Sequence, residues 1–243
     1  MNSMAGRDRM RRDGLEIVKI VDEAIDQLRE EFAVNPTFFF TERDITCRLY
    51  SRILSNAQDS TLEAMDKSGH RHLLLHTEYS TPFRCFMKKK AFRVVGNNDE
   101  GGRGKYDLVV LNPEFIEQNT YPVIYGQSFK NCTTNIVPWC ERNGPFILYG
   151  LELMLKRKPL GRKKNQNRWA TWDGKIKSIV QDMEKLNAAR QLGFIYKTKA
   201  MLFVREYTRE IEEHLSISVP RDESLLVCFG ERISSIGQKT KGV

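Results

Sequence analysis

The chain has 243 residues, 40% of them apolar and 29% charged, and a formal net charge of +8. That balance excludes a disordered or fibrous chain and supplies enough apolar material for one large domain or two small ones. No run approaches the roughly 18 apolar residues of a membrane span, and Cys47, Cys85, Cys132, Cys140 and Cys228 form no CxxC pair, so neither a zinc ribbon nor a disulfide framework is expected.

The basic N-terminus, MNSMAGRDRMRRDG, has no apolar segment behind it and reads as a frayed arm rather than a secretory signal. Residues 14–32 carry Leu15, Val18, Val21, Ile25, Leu28 and Phe32 at helical spacing, which predicts a helix. Thr41 is placed to cap a second helix, ERDITCRLYSRIL, with Asp44 completing a capping-box variant. HRHLLLHTEYS and AFRVV read as strands, NNDEGGRG as a loop, and KYDLVVLNP as a strand closed by Asn112-Pro113. Residues 114–144 have no clear period and read as an insertion. A strand over 146–155 follows, then a basic loop, then a long helix over 171–193 with Gly193 as its stop signal. AMLFVREY predicts a strand, REIEEHL a short helix and ESLLVCFGE a last strand, ahead of a polar tail. The order predicts a mixed α/β sheet flanked by helices, with a helical N-terminus. It is read as one domain over 1–243, with N-terminal helices over 14–57, an α/β core over 70–207 and a C-terminal extension over 208–243. A reducing, cytoplasmic setting is the simplest reading of the cysteines, and a homodimer is allowed.

Two apolar strands each carry one acid: Asp107 in KYDLVVL and Glu152 in YGLELML. A carboxylate in such a setting is costly unless it is paired or binds a cation. If the strands are neighbours, the two acids could converge on one point, the arrangement that a hard cation such as magnesium takes with a substrate phosphate. The plainer reading is two separate strand-edge salt bridges.

With the helix containing IVQDMEKL, these residues resemble the PD-(D/E)XK nuclease superfamily, whose fold is restriction-endonuclease-like. The resemblance runs from about Glu42 to Tyr207. It implies a divalent-metal-dependent nuclease acting on DNA or RNA with Mg2+ or Mn2+. Asp107 and Glu152 would be metal ligands, with Glu42 from the first core helix and Glu78 from HTEYS as further ligands. The chain departs from the family at the E-x-K triplet, which reads Glu152-Leu153-Met154. A thioether cannot replace a lysine's charge. Lys156 shares the face of residues 152 and 154 further along the strand. The following helix offers Lys175, Lys177 and Lys185, of which Lys177 and Lys185 lie on one line with Gln181. Lys156 or Lys177 is taken as the substitute; otherwise the site is weakened or inactive.

The segment KRKPLGRKKNQNR holds Lys156, Arg157, Lys158, Arg162, Lys163, Lys164 and Arg168 with no acid, directly ahead of Trp169 and Trp172. Cations beside aromatics suit a nucleic-acid backbone with bases to stack on, and Lys158, Arg162, Lys163, Lys164 and Arg168 are the expected contacts. They suit a solvated loop equally well. His70, His72 and His76 would share a strand face and could hold zinc, but with no Cys or acid at a matching spacing they are more often incidental. The chain has no phosphate-binding G-x4-G-K-[ST] loop and no G-x-S-x-G elbow. The rival reading is a non-catalytic nucleic-acid-binding or scaffold protein that keeps the fold and the basic segment.

Overall fold

The computed structural model describes residues 12–58, 61–86, 93–95, 102–126, 128–156, 168–205, 209–218 and 222–230. Helix α1 (Arg12–Val34) buries Ile17, Val18, Val21, Ala24, Ile25, Leu28 and Phe32, while Leu15 stays exposed because Ile17 takes its place in the stripe. Helix α2 (Glu42–Asn56) starts with the expected box: Asp44 N–H donates to Thr41 Oγ1 and Thr41 N–H to Asp44 Oδ2.

Among the described residues eight strands follow: β1 (Glu63–Met65), β2 (Arg71–Leu73), β3 (Leu75–Phe86), β4 (Arg93–Val95), β5 (Gly102–Leu111), β6 (Ile147–Lys156), β7 (Ile195–Val204) and β8 (Leu225–Phe229). β1 and β2 form a separate hairpin. The other six make one sheet in the order β4-β3-β5-β6-β7-β8. The pairs β4–β3, β3–β5 and β5–β6 are antiparallel, whereas β6, β7 and β8 run parallel. The sheet is therefore mixed, as expected. The single strand expected over 70–80 is instead two, broken at Leu74, and β1 lies in the polar segment before it.

The segment after β5 carries short helices: α3 (Pro113–Glu117), α4 (Tyr121–Ile124), α5 (Phe129–Asn131), a π turn over Cys132–Ile136 and α6 (Val137–Asn143). The pieces are too short for a periodicity to be legible. Helix α7 (Arg168–Gln191) crosses from β6 to β7, and α8 (Arg209–Ser218) from β7 to β8, as parallel pairs require. Gly193, at φ +78, ends α7 as expected; Phe194 N–H donates to Ala189 O and Gly193 N–H to Arg190 O, a full Schellman closure. That tight closure lets β7 begin at Ile195, earlier than the AMLFVREY strand expected.

Helices cover both faces of the sheet. Tyr149 reaches α1, donating to Asp22 Oδ1 at 2.9 Å. The next residue, Gly150, faces α7: a Cβ there would lie 3.4 Å from Leu186 Cδ2. By alternation Glu152, Met154 and Lys156 face α7 as well. Among the described residues no helix is long and apolar enough to cross a membrane.

Candidate active site

β5 and β6 pair through Val110↔Tyr149, Val109↔Gly150 and Leu108↔Leu151, and the main-chain ladder stops there. The N–H groups of Leu153 and Leu155 then need other acceptors, because a buried donor left unmatched is costly. Leu153 N–H donates to Asp107 Oδ2 at 2.7 Å, and Leu155 N–H reaches Glu42 Oε1 at 3.4 Å. Two carboxylates thus follow the parted edge of β6. Glu42 is the first residue of α2, and it also accepts from Lys175 Nζ at 2.8 Å.

Glu152 points under α7 and is 3% exposed. Lys185 of α7, also 3% exposed, brings its Nζ to 2.6 Å from Glu152 Oε1. The same ammonium donates to Lys105 O at 2.7 Å and to Asp182 Oδ1, one helical turn away, at 3.2 Å. The Glu152 contact is a close, buried ion pair. Gly104 makes room for the lysine stem, since a Cβ there would sit 3.1 Å from Lys185 Cδ.

On the other side of β5, the pairs Thr77↔Leu108 and Tyr79↔Tyr106 set Glu78 beside Asp107. Glu78 has φ +55, a left-handed conformation unusual for a non-glycine residue inside a strand. It is exposed and lies 3.4 Å from Lys105 Nζ. Such strain is characteristic of functional positions.

Burial pushes the Asp107 carboxyl up to about 6, against the opposing pull of the Leu153 N–H and the Lys185 charge; Asp182 and Glu78 add to the rise. Burial also holds Glu152 well above the ordinary carboxylate range, with Asp182 and Asp107 reinforcing it and Lys185 opposing. For Lys185 burial works downward, but the charges of Glu152 and Asp182 prevail and keep the ammonium protonated. Three acids around one base make a site that discriminates strongly between protonation states.

The structure therefore brings together Asp107, Glu152 and, at the margins, Glu42 and Glu78. The lysine against Glu152 is neither of the two expected substitutes. Lys177 is exposed, eight residues before Lys185 in α7, a separation of about 12 Å along a helix axis. Lys156 shares the face of Glu152, as alternation requires, but its Nζ lies 5.0 Å from the centroid of Trp172. It ends β6 rather than opening a loop. Lys185, which shares its helix line with Lys177 and Gln181, is the one that meets Glu152. Lys158, Arg162, Lys163 and Lys164 lie outside the described residues, and Arg168 opens α7.

The three histidines do not converge as a ligand set. Asp66 Oδ2 lies 3.0 Å from His72 Nε2 and 3.6 Å from His70 Nδ1, whereas His76 Nε2 lies 3.2 Å from Tyr125 Oη. Among the described residues no group of three or more His, Cys, Asp or Glu side chains is gathered tightly enough to hold a metal by itself. A hard cation that takes one or two carboxylates, waters and a phosphate asks for less. The Asp107 and Glu152 carboxylates fit that demand in donor type, with Lys185 against Glu152 Oε1. Set against family models, curated proteins and solved structures, the chain matches none of them.

Proposed function

We propose that this chain is a divalent-metal-dependent phosphodiester hydrolase of nuclease type, acting on DNA or RNA and built on a restriction-endonuclease-like fold. The observation that carries this reading is the meeting of Asp107, Glu152 and Lys185 where β5 and β6 part. Asp107 and Glu152 would hold Mg2+ or Mn2+, with Glu78 and Glu42 flanking. A bound ion of this kind polarises a phosphate and lowers the pKa of its water. Lys185 supplies the positive charge that Met154 cannot, and its raised pKa keeps it available for the charge developing on a phosphate oxygen. Leu153 N–H orients Asp107, and the Lys105 carbonyl and Asp182 orient Lys185.

One observation favours a second reading. The Lys185 ammonium already lies against two carboxylates and a carbonyl, and both it and Glu152 are buried. A fixed internal cation of this kind would leave a nucleic-acid-binding protein without turnover. Cleavage assays on DNA and RNA in manganese separate the two. The hydrolase reading expects cleavage that EDTA abolishes, that Asp107→Asn and Lys185→Gln each lower by on the order of a hundredfold or more, and that Lys177→Ala leaves intact. Folded proteins that are all inert, yet still bind oligonucleotides in EDTA, would move the conclusion to the binding reading.

A further inference from the structure

The segment joining α1 to α2 contains three consecutive phenylalanines. The middle one, Phe39, is buried, with its ring centroid 5.4 Å from that of Phe32. Its backbone is extended, so its neighbours project the other way. Phe38 and Phe40 are each 65% exposed, an unusual fate for two large apolar rings in one short segment.

The segment is held in place. Arg205 donates from Nε to Pro36 O at 3.2 Å and from Nη2 to Thr37 O at 3.4 Å. Phe40 N–H donates to Asp44 Oδ2 at 2.8 Å. Gly230 packs so closely that a Cβ there would lie 2.7 Å from Pro36 Cβ. The Arg205 guanidinium carbon sits 5.6 Å from the centroid of the Phe40 ring, joining a cation to the aromatic surface. This surface borders the carboxylate site. Phe40 precedes Glu42 by two residues, and Arg205 N–H donates to the carbonyl of Lys156, the last residue of β6. Lys156 in turn opens the most cationic stretch of the sequence.

We infer that Phe38 and Phe40, with Arg205, form a stacking platform for unpaired nucleobases, so that the nucleic acid taken by this chain is single-stranded. The inference deepens the hydrolase reading and rests on it only for the scissile phosphate. Bases in a duplex turn their faces to one another, whereas each unpaired base offers a π-face that a rigid aromatic ring can cover irrespective of sequence. Arg205 suits the accompanying phosphates. Pre-ordering of the segment by Arg205 and Asp44 lowers the entropy lost on binding. Neither ring is part of the core, so both can be removed without a cavity.

Binding is read by fluorescence anisotropy in EDTA, apart from any turnover, with a short labelled oligothymidylate, a duplex of matched length and an abasic strand of the same length. The wild type is expected to prefer the oligothymidylate to both other probes. F38A/F40A should weaken oligothymidylate binding by about tenfold or more while barely changing the other two. Phe40→Trp should retain the preference, and melting temperatures should match the wild type. The inference is overturned if the wild type prefers duplex, binds the abasic strand equally well or binds none of the probes. It is likewise overturned if F38A/F40A alters only oligomeric state in light scattering, which would make the rings a contact between copies of the chain. A parallel cleavage assay in manganese bears on the hydrolase reading alone: stacking-dependent binding without cleavage upholds the platform and rejects the hydrolase.

Discussion

Glu152 and Lys185 form a buried ion pair at the residue scale. An ion pair taken out of water gains little over an apolar pair of the same shape, but removing one partner strands the other. Lys185→Met is therefore expected to destabilise the fold by about 3–5 kcal/mol in urea unfolding, and Glu152→Gln combined with Lys185→Met should recover part of that loss. If the single change is neutral, the buried pair described above does not exist in solution. Asp107 makes a separate statement about pH. Its carboxyl is raised to about 6 in the folded chain, against about 3.9 in an unfolded one. The folded state thus grips this proton more tightly. The stabilisation it gives is complete below about pH 4 and is lost as pH rises through about 6. Asp107→Asn should consequently melt higher than the wild type near pH 8, with the gap closing toward pH 4. On the proposed hydrolase reading, metal-dependent activity should run the opposite way, rising through about pH 6 as Asp107 loses its proton. A wild type more stable than Asp107→Asn at pH 8 would contradict the burial assigned to this carboxylate.

At the scale of elements, the caps aim the site. Thr41 and Asp44 fix the first turn of α2, which carries Glu42 to the β6 edge and Phe40 to the surface. Thr41→Ala should lower stability by about 1 kcal/mol, equivalent to a fall of about 2–4 °C in melting temperature for a domain of this size. Gly193 closes α7 at φ +78 with open space around its Cα, so Gly193→Ala should cost about 1–2 kcal/mol through backbone strain alone. Both effects are readable by thermal unfolding followed in circular dichroism. If Gly193→Ala is as stable as the wild type, the left-handed closure is not what positions β7. These caps were legible in advance because capping chemistry is local: Thr41, Asp44 and Gly193 announce themselves by residue type and spacing. The helices over 113–143 were not, because none is long enough to show a period.

Across the whole molecule, the mixed sheet could be anticipated from the order of the elements, whereas the adjacency of the strands bearing Asp107 and Glu152 was suggested only by the lone acid that each carries. The lysine could not be anticipated. Lys177, Gln181 and Lys185 occupy one line on α7, and which of them meets Glu152 depends on how far the helix slides along the sheet, a quantity set by packing partners remote in sequence. Gly150 against Leu186 and Ile195, and Gly104 against the Lys185 stem, set that register in the folded chain. Glu78 was anticipated only by family resemblance, and no residue-type signal marks its left-handed backbone. The proposed hydrolase requires that the parted end of β5 and β6 be a cation site built on Asp107 and Glu152. Manganese binding followed by electron paramagnetic resonance at about pH 8 tests it most directly. The expected result is saturable, stoichiometric uptake by the wild type that Asp107→Ala abolishes in a folded protein. Absence of uptake by the wild type, or equal uptake by Asp107→Ala, would contradict it.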